Sequence, residues 1–342
     1  MKVAIGTADG ETNGLGRHIL GIQKFSSHTV RTIPSAFERM IIGEDEKRIA
    51  YYRIVMDKIK LRGYDIVHSH VDPWFTRLCQ KSRTNKCGWV HTYHAYYFEA
   101  DYPNGLVDWQ KSLNENMSCV APNAEVKISV SKWMHEFLLD EFSIETVVIP
   151  NGFDLDRCNR AQPERFTGRY GIKDFVLFVG SIYPIKNSQA FFNLAQRIPD
   201  MRFVMIARGF DTKKIAETYH VPIPPNLTII GELEHEEVLD AMSACRVFVM
   251  TSRREGLPTV LLEAMALAKP VVASNVYGCN EVVCHEEDGL LFELNSIEDL
   301  VEKTKRAFEA NQMGQKARDK VVATYAWEVV AKRIDAVYES LR

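Results

Sequence analysis

Two carboxylates, Glu255 and Glu263, stand on either side of a helix start in the run from Arg254 to Val272. Residues 247–251 read as a buried strand, which Gly256 breaks. Pro258 suits the first turn of a helix, where its missing N–H has no partner to lose. Leu261, Leu262 and Met265 then supply that helix with an apolar face. Glu255 falls on the loop before it. Glu263 lies five residues past Pro258, about 7.5 Å along the axis at about 1.5 Å per residue. The amides of Thr259 and Val260, between the two acids, belong to the turn whose N–H groups lack helical acceptors, and the positive end of the helix dipole makes that turn an anion site. An acid, an anion cradle and a second acid match a sugar, a diphosphate and a ribose in a row. Glu263 interrupts an apolar stretch, where a carboxylate is costly unless it has a partner.

The elements that would hold these groups are legible along the whole chain. Short β-rich runs alternate with helical stretches, which argues for parallel sheets covered by helices. Candidate strands are residues 2–6, 28–33, 65–69, 88–93, 126–130 and 146–149, then 175–180, 202–207, 227–230, 246–251, 270–274 and 290–293. A length of 342 residues suits two domains. The turn signal Pro150-Asn151-Gly152-Phe153-Asp154 and the polar stretch 159–171 place the boundary near residue 157. The expected parts are therefore 1–157, 158–324 and a closing helix 325–342.

Composition excludes several classes. Apolar residues make up 46% and charged residues 25%, with a net charge of −3, so nothing draws the chain as a whole to nucleic acid. Seven dispersed cysteines without a Cys-x-x-Cys pair argue for reduced thiols and a cytoplasmic setting. The apolar part of the N-terminus is too short for a signal peptide and reads as a first strand. The longest mostly apolar stretch, 256–274, contains Glu263, Lys269 and two prolines, which argues against a membrane span.

Other candidate groups cluster after strands, where open α/β sheets bind ligands. Lys186 follows the strand at 175–180, with Ser181 before it, and Arg208 follows the next strand. Gly14-Leu15-Gly16-Arg17-His18 follows the first strand and opens a helix. Its glycine pair permits close backbone approach to a ligand, but Ile19 stands where a dinucleotide fingerprint needs a third glycine. His94 ends the strand at 88–93, with His91 a near competitor. His68 and His70 share a strand face, but no third ligand at useful spacing supports a metal site, so both read as structural. Asp154-Leu155-Asp156 sits at the domain junction, and no metal is expected there.

The string from Arg254 to Val272 resembles the glutamate-x7-glutamate signature of glycosyltransferase family 4, and the likeness extends over most of the chain, most weakly at 34–62. The resemblance implies a GT-B fold, two Rossmann-like domains with parallel sheets facing a central cleft, and retaining, metal-independent transfer from a nucleotide sugar carrying UDP or GDP. It implies that Glu255 contacts sugar hydroxyls and Glu263 the ribose. The diphosphate would meet Lys186 and the amides at Gly256, Leu257, Thr259 and Val260. His94 and the Gly14/Gly16 loop would face the donor sugar, and Gly231 and Leu233 would hold the base. Gly278 and Glu281 resemble the family's glycine-x-x-glutamate turn. Ser181 departs from the pattern, which has an arginine there, and Arg208 is the candidate replacement cation. The closing helix would cross back onto the first domain. A nucleotide-sugar epimerase, a phosphorolytic enzyme or a silent nucleotide-sugar binder would share this fold.

The acceptor side is less determined. Trp89, Tyr93, Tyr96, Tyr97, Phe98, Tyr102 and Trp109 suit either sugar stacking or ordinary core. Residues 47–86 carry ten lysines and arginines against three aspartates. Such a run fits a glycan or lipid-linked acceptor and peripheral contact with an anionic membrane. It fits the solvated faces of two helices equally well.

Overall fold

A computed structural model of the chain describes residues 1–6, 14–33, 61, 63–83, 86–102, 104–181, 183–208, 223–309 and 313–342, without the side chains of Ser82 and Arg208. The chain divides into two compact units. Unit 1 is Met1–Gly152 with Trp327–Arg342, and unit 2 is Phe153–Ala326.

Unit 1 holds β1 (Lys2–Gly6), β2 (Thr29–Ile33), β3 (Ile66–Ser69), β4 (Gly88–Tyr93), β5 (Val126–Ser129) and β6 (Val147–Val148), all parallel in the order β2-β1-β3-β4-β5-β6. Unit 2 holds β7 (Phe175–Ser181), β8 (Arg202–Arg208), β9 (Leu227–Ile230), β10 (Val247–Met250), β11 (Val271–Ser274) and β12 (Leu290–Phe292), parallel in the order β12-β11-β10-β7-β8-β9. Every expected strand is present, with ends shifted by a residue or two. Central strands such as β3, β10 and β11 are buried along their whole length, the mark of a sheet covered on both faces.

Strand order fixes where ligands can enter. In unit 2 the chain starts at β7, moves outward through β8 and β9, then restarts on the other side at β10. That is the doubly wound order, with its switch point between β7 and β10. In unit 1 the corresponding reversal lies between β1 and β3. Loops leaving the carboxyl ends of these pairs diverge and leave a crevice.

The domain boundary falls after Gly152 rather than after residue 157. A short helix, Leu155–Asn159, follows the turn, and the stretch 159–171, expected to be irregular, holds a second, Pro163–Tyr170, both inside unit 2. Asp154 caps the first by accepting from Arg157 N, 3.1 Å. The second buries Phe166 and packs on the helix His235–Ala244. A short helix with one apolar anchor and a polar remainder carries almost no periodic signal.

The last helix, Trp327–Ser340, completes the core of unit 1. Trp327, Val330, Ile334 and Tyr338 pack with Val3, Ile5, Ile19, Ile22 and Ile128. Trp327 lies in a notch made by two glycines. A Cβ on Gly21 would sit 1.9 Å from Trp327 Cε2, and one on Gly152 would sit 2.6 Å from Cδ2.

Candidate active site

Lys186 and Glu255 leave adjacent strands of unit 2 at its switch point. After β7 the chain makes one tight turn, Pro184–Lys186, and passes through Asn187 in the left-handed region before the helix Ser188–Arg197. Lys186 Nζ donates to Glu255 Oε1 at 2.7 Å. The loops are stitched beneath the pair. Thr251 Oγ1 donates to the carbonyls of Lys186 (3.1 Å) and Asn187 (2.9 Å), and Arg253 N donates to Ile185 O at 2.7 Å. The Glu255 side chain is 11% exposed, against 29% for Lys186. A lysine and a carboxylate 69 residues apart are thus held in one partly buried ion pair.

The backbone of Glu255 is fixed by the turn at Gly278. Glu255 N donates to Tyr277 O at 3.1 Å. Gly278 has φ 84°, and a Cβ there would lie 2.4 Å from Glu255 O. Gly278→Ala should therefore displace Glu255. Gly171 has φ 68° with nothing within 4 Å of its would-be Cβ, so Gly171→Ala supplies the same backbone strain, about 1–3 kcal/mol, without the clash. Both variants should melt lower, while only Gly278→Ala should lose transfer. Equal transfer in the two would remove the clash with Glu255 as a constraint.

The helix starts one residue later than expected, at Thr259. The helix runs Thr259–Ala266, and Pro258 precedes it as cap, its carbonyl accepting from Leu261 N (3.1 Å) and Leu262 N (3.3 Å). Thr259 and Val260 occupy the first two helical positions, where an N–H has no acceptor one turn back. Both are partly exposed, whereas Leu257 is buried. Gly256 lies in the bend before the helix.

Glu263 is buried and faces a histidine. Its Oε1 accepts from His235 Nε2 at 2.8 Å. Arg157 Nη1 lies 3.3 Å from His235 Nδ1. A guanidinium only donates, so Nδ1 is the acceptor and the ring proton sits on Nε2, directed at Glu263. His235, which holds Glu263, is a contact that sequence reasoning missed. Its only signal was position, as the first residue of the helix after the Gly231–Leu233 loop. Of that loop, Gly231 is exposed and Leu233 partly so. Ser181 stands opposite Arg208 in the β7–β8 register, and the Arg208 side chain lies outside the described residues.

In unit 1, Gly14 and Gly16 open the helix Gly14–Phe25. His94 follows β4, and its Nε2 lies 3.0 Å from His70 Nδ1. His68 is structural, as expected. Both ring nitrogens are used, by Tyr338 Oη and Thr92 Oγ1, each at 2.7 Å. His70 is different. Spacing along the sequence offered no third ligand, but the fold brings His18 and His94 to it, with one ligand nitrogen from each of the three within 4.8 Å of the others. Burial holds His94 down to about 3. Burial first, then the neighbouring rings, pushes His18 and His70 well below the ordinary value. At neutral pH His94 is a neutral hydrogen-bonding group.

The aromatic run divides. Trp89 and Tyr93 are core residues with no exposed surface, so they cannot stack on an acceptor. Trp89 Nε1 donates to Ser69 Oγ (2.8 Å) and Tyr93 Oη to Met117 O (3.3 Å). Tyr96 and Phe98 pack with Phe137, and Tyr97 packs edge-on against Trp109. Of the basic run, Lys47, Arg48, Arg53, Lys58, Lys60 and Arg62 lie outside the described residues. Arg83 is paired with Glu125 at 2.6 Å. Asp154 of the Asp-Leu-Asp pattern is committed to its helix cap. Among the described residues, no helix is long and apolar enough to cross a membrane.

Comparison with known proteins agrees with this geometry. Residues 21–157 match the family model described as Glycosyltransferase Family 4, and residues 161–326 match Glycosyl transferases group 1. The chain is 27% identical over 331 residues to the Escherichia coli UDP-Gal:alpha-D-GlcNAc-diphosphoundecaprenol alpha-1,3-galactosyltransferase, covering 89% of this chain and 81% of that protein. It is 27% identical over 308 residues to alpha-maltose-1-phosphate synthase of Mycolicibacterium smegmatis, covering 81% and 79%. Among solved structures it is similar to sucrose-phosphate synthase from Thermosynechococcus elongatus (TM-score 0.75, 19% identity, 99% and 98% of the chains). It is also similar to Anabaena HepE solved with UDP and glucose (TM-score 0.76, 16% identity, 99% and 100%). Two parallel six-stranded sheets in the doubly wound manner, together with the two family models that between them cover most of the chain, place it among the GT-B glycosyltransferases of family 4.

Proposed function

We propose that this enzyme moves a hexose from a UDP-sugar to a glycan or lipid-linked acceptor, with retention of anomeric configuration and without a metal. The observation that carries the reading is the Lys186–Glu255 pair beside the open amides of Thr259 and Val260. As the bond from the anomeric carbon to the diphosphate breaks, negative charge grows on the diphosphate oxygens. Lys186 and the two amides are the groups in unit 2 that meet it, and charge that develops in the transition state is where fixed donors act most strongly. Glu255 accepts hydrogen bonds from sugar hydroxyls and holds the ring against the cradle. Glu263, with one oxygen held by His235, presents its carboxylate to the ribose. The acceptor hydroxyl passes its proton to the departing diphosphate oxygen as its own oxygen bonds to the anomeric carbon, so the bond to the diphosphate breaks on the same face on which the new bond forms. Glu255 is engaged by Lys186, and no second carboxylate stands beside it among the described contacts, which favours front-face attack over a glycosyl-enzyme intermediate. Support for UDP comes from relatives whose names and ligands contain it.

A thermal-shift series tests the reading. UDP and UDP-sugars at 100 times the dissociation constant should stabilise the protein by roughly 2.7 kcal/mol, ahead of GDP and ADP. Transfer should survive EDTA. No shift with any nucleoside diphosphate would overturn the donor site, and complete, magnesium-reversible loss in EDTA would overturn metal independence. Ser181, where the family carries a cation, favours one second reading, a silent binder, which a nucleotide shift without donor turnover would select.

A further inference from the structure

We propose that unit 1 carries a site for a zinc-type divalent ion, built from His18, His70 and His94. The three rings come from three separate places: the first turns of the helix Gly14–Phe25, the end of β3 and the end of β4. They converge at the reversal between β1 and β3, where the strand order leaves a crevice. A tetrahedral ion with metal–nitrogen bonds of about 2.0–2.1 Å holds its ligand atoms about 3.3–3.4 Å apart. His70 Nδ1 and His94 Nε2 already stand 3.0 Å apart, and the widest of the three separations is within 4.8 Å. The His18 ring centroid lies 4.6 Å from that of His94 and 5.4 Å from that of His70.

The unsatisfied groups point the same way. His18 is buried with neither ring nitrogen in hydrogen-bond geometry with any described residue. The Asn151 side chain bears on the ring but outside that geometry. Buried polar atoms are nearly always paired, and exceptions often mark an ion or water. The other two histidines of the cluster lie outside the three-atom group, although His91 Nε2 is also unmatched among the described residues. His68 uses both nitrogens on Tyr338 and Thr92, and His91 bonds Ser69 Oγ at 2.8 Å. These neighbours hold the walls while three rings remain as ligands. An all-imidazole set suits zinc, cobalt, nickel or copper rather than magnesium or calcium. His94 is the partly exposed member, so the fourth position opens to water or to an oxygen of a bound molecule, as three-ligand zinc sites do.

Binding replaces the proton shared by His70 and His94. The donor ring of that pair shifts its proton to its other nitrogen, and both facing nitrogens turn their lone pairs to the ion. Occupancy therefore removes His94 Nε2 from any other contact. If His94 lies beside the transferred sugar, as the family resemblance implies, the ion inhibits transfer. That consequence rests on the resemblance and on the proposed function, whereas the binding site rests on neither.

The test is a cobalt titration of the full chain, followed by zinc competition. Visible d–d absorption of tetrahedral cobalt should rise to one equivalent and be displaced by one equivalent of zinc. His94→Ala, the change least demanding of the fold, and His70→Ala should each weaken binding by at least about tenfold. His135→Ala, outside the cluster, should leave the titration unchanged. Circular dichroism of each variant separates a lost site from a lost fold. No stoichiometric band in the wild-type protein, or a band unchanged in both folded variants, would overturn the site. A band with the expected variant pattern establishes it whether or not zinc slows transfer. If transfer is then indifferent to zinc, His94 leaves the reaction and the metal site stands.

Discussion

Glu255→Ala should lower the rate of transfer at least about a hundredfold, the scale of losing one contact that strengthens in the transition state. The structure sharpens what form the loss should take. Glu255 neutralises Lys186 across 2.7 Å before any donor is present. Removing the carboxylate leaves Lys186 free to grip the diphosphate, so donor affinity should hold or rise while kcat falls. Glu263→Ala should do the reverse, because ribose contacts are alike in ground and transition states. KM for the donor should then rise with kcat nearly kept. Measuring kcat and KM for both variants with one donor decides the matter. Full kcat in Glu255→Ala would make the ion pair a loop fastener and nothing more.

Mild acid should loosen unit 1 selectively. His68 is fully buried, and burial first and its coupling to the neighbouring His94 ring second hold it down to about 3 against an ordinary 6.5. Between those values the unfolded chain takes up a proton that the folded chain refuses. Stability is therefore fully present above pH 6.5 and falls as pH drops toward 3. At pH 5, His68 alone costs about 2 kcal/mol, from about 1.4 kcal/mol per pH unit below the unfolded value. His18, His70 and His91 shift in the same direction, with burial as the first cause in each, and add to the loss. Hydrogen exchange at pH 7.5 and pH 5, corrected for intrinsic rates, reads the units separately. Protection in β1, β3 and β4 should drop more than protection in β7, β10 and β11. Equal protection in unit 1 at both values would mean that the cluster accepts protons without opening.

The sheets were readable because a parallel strand covered on both faces is written as an unbroken apolar run, as in Val271–Ser274. Lys186 and Glu255 stood out because the strings around them resemble the family's, and the fold sets the two side chains in contact. What escaped depended on distance in sequence. His235 meets Glu263 across 28 residues, and its tautomer depends on Arg157, 78 residues earlier. His18, His70 and His94 lie on three elements whose adjacency follows only from strand order. Trp89 and Tyr93 were ambiguous for another reason. A tyrosine that buries its ring and bonds its hydroxyl to a carbonyl is written no differently from one that stacks on a sugar. Helix Pro163–Tyr170 escaped because it has a single buried anchor, Phe166.

The place of Trp327 has a consequence for how the protein is made. The notch between Gly21 and Gly152 receives a side chain that the ribosome adds only after all of unit 2. At about 5–20 residues per second, synthesis of the intervening chain occupies on the order of ten to thirty seconds. Throughout that interval the nascent first sheet lacks its closing helix, and Ile19, Ile22 and Ile128 face an unfilled groove. Unit 2 has its whole sequence in one continuous piece and can finish first. The order of maturation is thus the reverse of the order of synthesis, and the half begun first is the half that waits.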